Sequence, residues 1–282
     1  MSRRDEQAVP VPRSGRYLGI YSPAVHRFES LTLDVNGPLA TLTLNRPTRL
    51  NALTRNLLRE IVRACRLVDE DHPDIKVLVV RGAGRAFSAG FDLEDFSTPE
   101  TGRTSRDTAD LGRLAAEALT NVRPLTIASI HGHCVGGGLV LAASCDLRLA
   151  ADSARFLIPE VDLGIPLAWG GIPRLVREIG PALTKELVLT CRPFTPDEAL
   201  AARFLNRVVP EVALAPAVQE LAESLCGKPA FSLRVTKQQV NAVMEEIGST
   251  ARNTIDGDVL TAALADPESR AASRTYLERR NR

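Results

Sequence analysis

Three consecutive glycines, Gly136, Gly137 and Gly138, stand between two apolar runs in "HGHCVGGGLVLAASCDLRLA", and no acidic or basic side chain follows them until Asp146. Bare backbone at a strand-to-helix turn lets a ligand or another backbone approach closely. A helix that opens there also presents N–H groups with no acceptor in their own helix and a partial positive charge. Such a turn suits an anionic oxygen, whether a phosphate or an oxyanion that exists only in a transition state. A phosphate cradle needs a P-loop lysine or GxGxxG spacing, and "VGGGLVLA" has neither. Tight packing of a helix on a strand uses the same glycines, so the triplet alone leaves both readings open.

A second turn of the same kind occurs upstream. "GRAFSAGFDL" closes another apolar run with a glycine loop and is followed by Asp92, a residue type suited to capping a helix. Two strand-end turns, each with an N–H to offer, can converge on one oxygen. The acid that could act beside them is Glu160, set among Phe156, Leu157, Ile158, Val161 and Leu163. An acid so flanked either sits exposed at a loop bend or is buried with a raised pKa. Other chemistries are poorly served. Ser88 has no histidine near it in sequence, and His131 and His133, spaced as HxH, have no third metal ligand in view, which leaves them structural or surface roles. Trp169, the single tryptophan, reads as a core or wall residue.

The elements that must hold these residues are legible in outline. "LTLDV" and "ATLTL" alternate around Asn36-Gly37, a hairpin signal. "NALTRNLLREIVRACRLVDEDH" carries Leu53, Leu57, Leu58, Ile61, Val62, Cys65, Leu67 and Val68 at helical spacing. "IKVLVVRG" and "LTIASIHG" are short apolar runs of the kind buried in parallel sheets, and "DLRLAA" is a third strand. The order strand, glycine turn, helix predicts an α/β fold with parallel strands covered by helices. Residues 1–25 read as an extended or mobile arm, 26–215 as the α/β core, and 216–282 as a helical region. With 282 residues, 44% of them hydrophobic, the chain can bury a sizeable core. A net charge of +1 argues against nucleic acid as a partner, and no apolar run is long enough to span a membrane. Five scattered cysteines without a CxxC, behind an N-terminus lacking a signal-peptide core, point to reduced thiols in the cytoplasm.

Taken together, "LNRPTRLNAL", "RAFSAGFDL", "IHGHCVGGGLVLAASCDLRLAADSARF", "PEVDLGI" and the "GG" and "RL" after it resemble the crotonase superfamily, the enoyl-CoA hydratase/isomerase family. The likeness runs from about Phe28 to the last helix. It implies a spiral of ββα turns with a helical C-terminal trimerisation region, assembled as a trimer or as a hexamer of paired trimers. It implies an acyl-CoA thioester substrate, with no cofactor beyond the coenzyme A the substrate carries. By position, the backbone N–H groups of Phe91 and Gly137 would form the oxyanion hole and Glu160 would be the acid–base group. Ala89, Ala168 and Trp169 would line the substrate, and Arg49 would be a candidate partner for a CoA phosphate.

The sequence also departs from the pattern. Hydratases of the family hold water between two glutamates. The second matches Glu160, but Val140 occupies the place of the first, three residues after Gly137. Valine neither holds water nor transfers a proton, whereas one carboxylate can still move a proton along an enoyl chain. The expectation is therefore a single-glutamate double-bond isomerase first, a weak hydratase second, and a non-catalytic acyl-CoA binder third. The last helix, "ESRAASRTYLERR", lacks the acid–glycine pair common before it in the family, which leaves its contacts open.

Overall fold

The computed structural model describes residues 24–97, 104–250 and 255–280. Most of the expected N-terminal arm lies outside the described residues, but its last two residues do not behave as an arm. Strand β1 (Ala24–Arg27) pairs antiparallel with β2 (Leu31–Asn36), which pairs antiparallel with β3 (Leu39–Leu44). The sheet thus takes in Ala24 and Val25, the last two residues of the expected arm. "AVHR" lacks the alternation of a strand and is held by its ladder and by a 2.9 Å contact between His26 Nε2 and His72 Nε2.

From β3 onward the sheet is parallel, running through β4 (Val77–Gly82), β5 (Leu125–Ile130), β7 (Leu147–Ala151) and β9 (Arg207–Val209) in the order β1-β2-β3-β4-β5-β7-β9. A second sheet joins β6 (His133–Val135) to β8 (Arg155–Leu157). A single bridge from Ser88 to Cys134 extends that sheet toward the end of β4. Each turn of the chain therefore gives one strand to the large sheet, one short segment to the small sheet, and then a helix. This is the expected spiral of ββα turns.

Local sequence explains the elements. Leu31, Leu33 and Val35 of β2 face inward while Thr32 and Asp34 do not, the period of a strand with one buried face. Helix α1 (Arg55–Asp71) is capped by the Thr54 side chain, which accepts from Leu57 N at 3.2 Å, and buries Leu57, Leu58, Ile61, Ala64, Cys65 and Val68. After the short helix α2 (Leu93–Ser97), helix α3 (Ser105–Asn121) opens with a capping box between Thr104 and Asp107. The glycine turns open α4 (Gly137–Ala143) and α5 (Gly171–Thr190), the latter kinked at Gly180-Pro181 and followed by the short α6 (Pro196–Ala201).

The two faces of the sheet carry different cores. Leu78 and Val80 of β4 point into the main core with α1, α3 and α4, while Val77 and Val79 point the other way. That second face is covered by Leu214, Val218 and Ala222 of α7 (Glu211–Cys226). Helix α7 therefore crosses the boundary expected at 215/216 and packs with the α/β core. Pro216 lies inside it; it forfeits one backbone hydrogen bond, and the apolar face laid on the sheet outweighs the loss. The remaining helices are α8 (Ala230–Ile247), α9 (Asp256–Ala265) and α10 (Pro267–Arg280). No helix among the described residues is long and apolar enough to cross a membrane.

Candidate active site

The first glycine turn is held by a buried asparagine. Asn51, at φ 53, accepts from Arg46 N at 2.9 Å and donates to the carbonyls of Ala83 and Ala86, each at 2.8 Å. Backbone bonds from Ala89 N to Leu50 O (2.9 Å), Leu53 N to Gly90 O (2.8 Å) and Asp92 N to Leu53 O (3.0 Å) then fix the run through Phe91. Arg46 reaches Asp92 at 2.9 Å, and Asp92 accepts a long 3.4 Å cap bond from Asp95 N. Ser88 is structural: its hydroxyl donates to Asn51 O and accepts from Gly90 N.

The second turn lies against the first. Ser88 N donates to His133 O at 2.9 Å and Val135 N to Ser88 O at 3.0 Å. Gly90, at φ 86, comes so close that a Cβ there would stand 2.8 Å from Val135 O and 3.8 Å from Gly137 N. Gly136, at φ 50, is the residue before α4, and a Cβ on it would collide with Glu160 Oε1. The side-chain-free backbone anticipated from the sequence is thus needed twice. It brings the two turns together, and it admits the carboxylate of Glu160 beside the N-terminus of α4. Gly137 is the first residue of that helix, where the N–H has no intrahelical acceptor.

These groups line one cavity of about 350 Å³. Of the described residues around it, Glu160 is the one carboxylate. The carboxylate is buried, at 9% exposure for the residue, and its Oε2 has no hydrogen-bond partner among the described residues. Burial pushes its pKa up to about 7, against a smaller lowering by its own backbone N–H. Of the two placements open for Glu160 in the sequence, burial is the one adopted. A carboxyl poised near neutrality can both take and return a proton.

Ala89, Phe91, Gly137, Val140, Ala168 and Trp169 all line the same cavity. Val140 lies one turn into α4, its N–H bonded to Gly136 O at 3.1 Å, and is nearly inaccessible to solvent at 1%. Trp169 is a wall residue held at φ 62, with its indole against Gly112 and Gly137 and its ring edge-to-face with Phe91 at 5.6 Å. Arg49 is not among the lining residues; it pairs with Glu94 at 2.8 Å on the surface. His131 bonds the Gly84 carbonyl, and no group of three or more potential metal ligands occurs among the described residues.

Three features of the site escaped the sequence reading. Arg174, buried in α5, donates to the carbonyls of Trp169 (3.2 Å) and Gly170 (3.1 Å) and to Thr120 Oγ1 (3.2 Å). Asp256 of α9 accepts from Gly170 N at 2.8 Å. Leu260 and Leu264 of α9, with Ser273, Tyr276 and Leu277 of α10, complete the cavity wall. In this chain the C-terminal helices fold over the protein's own cavity, a role that the expected trimerisation region did not include. Helical period alone places a helix but does not say which surface it covers.

The ββα spiral is shared with many solved structures. One, an enoyl-CoA hydratase/isomerase from Pseudoalteromonas atlantica, superposes with a TM-score of 0.80 at 25% identity, covering 89% of this chain and 98% of that one. Sequence narrows the class further. The chain belongs to the enoyl-CoA hydratase/isomerase family, the crotonase superfamily, whose pattern it matches over residues 34–282. A crotonyl-CoA hydratase of Syntrophomonas wolfei is 32% identical over 254 residues, which are 90% of this chain and 96% of the relative. A probable enoyl-CoA hydratase, EchA8, of Mycobacterium bovis is 36% identical over 220 residues, 77% of this chain and 83% of the relative.

Proposed function

We propose that this enzyme is an enoyl-CoA double-bond isomerase in which Glu160 is the sole proton carrier. The observation that carries the reading is the pairing of one cavity carboxylate, Glu160, with Val140 where a second acid would be needed to hold water. In the proposed reaction the Glu160 carboxylate takes a proton from C2 of a 3-enoyl thioester. The C–H electron pair moves into the chain and the thioester oxygen becomes anionic. The N–H groups of Gly137 and Phe91 stabilise that oxygen, where preorganised donors have their largest effect. The protonated Glu160 then returns the proton to C4, leaving the 2-enoyl thioester. Nothing is oxidised or reduced, and no cofactor beyond the substrate's own coenzyme A is required. Arg49 exchanges its exposed partner Glu94 for a CoA phosphate, a small change because surface ion pairs are weak.

Hydration is the second reading, favoured by the names of the relatives, which include hydratases and a carnitinyl-CoA dehydratase of Salmonella. One assay separates the two. With a 3-enoyl-CoA, isomerisation raises the absorbance of the conjugated thioester; with a 2-enoyl-CoA, hydration lowers it. Rapid hydration together with no 3-enoyl conversion would overturn the isomerase assignment. CoA-ester binding without either change would leave an acyl-CoA binder. Assembly as a trimer or paired trimers is part of the proposal, supported by exposed Phe231, Val240, Val243 and Ile247 on α8. Sedimentation giving a monomer at micromolar concentration would remove it.

A further inference from the structure

The cavity is larger than the reacting atoms need. Its volume of about 350 Å³ is many times the roughly 10–15 Å³ that one water needs in the same measure. Gly136, Gly137 and Glu160 form part of its lining, and aliphatic side chains form much of the rest: Leu163 from the loop after Glu160, Leu260 and Leu264 from α9, and Leu277 from α10. Ser273, one of the hydroxyl-bearing residues of the lining, is already committed, since its Oγ donates to Leu163 O at 2.5 Å.

Trp169 closes the alternative route. Its indole sits where any Cβ on Gly137 would fall, and it meets Phe91 edge-to-face, so space beside the oxyanion cradle is filled by aromatic rings. A bulky residue at φ 62 is uncommon and persists only where its surroundings over-determine it. Here they do. The buried Arg174 guanidinium grips the carbonyls of Trp169 and Gly170, and Asp256 grips the N–H of Gly170. Asp256 belongs to the same helix as Leu260 and Leu264, so the turn that aims the indole and the leucine wall are fastened together.

We infer that the substrate is a medium-length, unbranched apolar acyl-CoA whose tail is turned away from Gly137 by Trp169 and runs beneath α9 and α10 against Leu163, Leu260, Leu264 and Leu277. This inference rests on the reading that the cavity receives the acyl part of a CoA ester. It does not depend on the reaction performed there.

The test is calorimetric binding of saturated butanoyl-, hexanoyl-, octanoyl- and decanoyl-CoA to the full-length protein. Affinity is expected to rise along the series by up to about fourfold per methylene, and by at least about tenfold overall. A flat or falling series overturns the inference. Failure of every CoA ester to bind instead removes the acyl-CoA reading beneath it. Leu264→Trp, which adds bulk to the aliphatic wall, is expected to lower the decanoyl-to-butanoyl affinity ratio by at least about tenfold. Leu277→Trp, at a more exposed position, repeats the measurement if the first variant does not fold. An unchanged ratio in a folded variant counts against the inferred path. Trp169→Ala is expected to raise affinity for benzoyl-CoA relative to butanoyl-CoA by about tenfold, because the ring would enter the space vacated beside Gly137. No gain would overturn the role given to Trp169.

Discussion

Two glutamates among the described residues are buried, and they are buried differently. Glu60, on α1, is 1% exposed. Its Oε1 accepts from Glu29 N and Asn56 Nδ2, each at 3.0 Å, and its Oε2 accepts from Ser30 N at 2.9 Å. Both oxygens are engaged, and the carboxylate clamps the start of β2 to α1. Glu160 is 9% exposed and has an Oε2 with no partner among the described residues. Burial is common to the two; the supply of donors is not. A buried acid surrounded by N–H groups is a structural acceptor. A buried acid with an unpartnered oxygen, beside a helix N-terminus and an open cavity, is free to exchange a proton. The contrast locates function more sharply than burial or residue type does.

Replacing each glutamate breaks the comparison at its strongest point. Glu160→Gln is expected to lower turnover roughly 10²–10⁴-fold with acyl-CoA binding nearly intact. Wild-type turnover on the best substrate would sink the assignment. Stability should move the other way. The Glu160 pKa is raised from 4.5 to about 7 in the folded protein, so the folded state holds that proton more tightly than the unfolded state does. Its contribution to stability is complete below the unfolded value and is lost as pH rises through about 7. The Gln variant should therefore match the wild-type Tm near pH 4.5 and exceed it at pH 8, the gap opening between those values. A gap that narrows with rising pH would contradict the burial argument.

Gly137 tests whether the cradle beside Glu160 matters apart from the acid. Gly137→Ala keeps the backbone N–H, but its Cβ collides with the Trp169 ring. Misplacement of the cradle or the indole is expected to cost on the order of 10²-fold in kcat. Adding Trp169→Ala removes the collision, so the double variant should recover part of the loss, a non-additivity typical of residues in contact. Strict additivity in steady-state kinetics would show that the two side chains do not share this space.

Glu60→Ala addresses the other half of the comparison. It strips Ser30 N and Glu29 N of their acceptor; Ser30 is buried and Glu29 is exposed, so the expected cost is about 1–3 kcal/mol of stability, for the one buried donor left unsatisfied. Turnover per folded molecule should remain near wild type. A denaturant melt coupled to active-site titration reads both quantities. A fall in turnover as large as that of Glu160→Gln would erase the distinction between clamp and proton carrier.

Much of this arrangement was legible in the residues, and the part that was not has a physical reason. Gly136–Gly138, "SAGF" and Glu160 stood out because glycine at strand ends and an acid among apolar neighbours are local signals. The family pattern placed them in one site. The alternation in β2 and the helical period of α1 are local too. Glu60 gave no signal, since its donors Glu29 and Ser30 are brought to it from another element. Asn51 was equally silent, because its role depends on the carbonyls of Ala83 and Ala86. Trp169 was visible as a large apolar residue, but its left-handed backbone is imposed by Arg174 from the next helix and by Asp256, which holds the N–H of Gly170 from 86 residues away. The periods of α9 and α10 marked them as helices, while their closure over the cavity follows from tertiary contacts that no window of sequence contains.

The smallest expected effect is a gain, and it sharpens the comparison from the opposite side. Val140 lines the cavity with Glu160 one turn inside α4, at the place where a second carboxylate could help orient water. Water addition needs a positioned nucleophile, and positioning contributes up to about 7–11 kcal/mol in the best model systems. A single acceptor leaves a water free to pivot, while proton transfer between two carbons of a held chain avoids that requirement. Val140→Glu is therefore expected to increase hydration of a short 2-enoyl-CoA by about tenfold, far short of the positioning limit. Two things restrain the gain. The new acid enters a tight space, since a Cβ on neighbouring Gly171 would already lie 3.0 Å from a Val140 methyl. It would also resemble Glu160 more than Glu60, buried with few donors, and so cost stability and hold its proton. The measurement is hydration in the variant against wild type, alongside Tm. Efficient hydration by the unmodified protein would show that one carboxylate suffices, and that Val140 does not set the reaction.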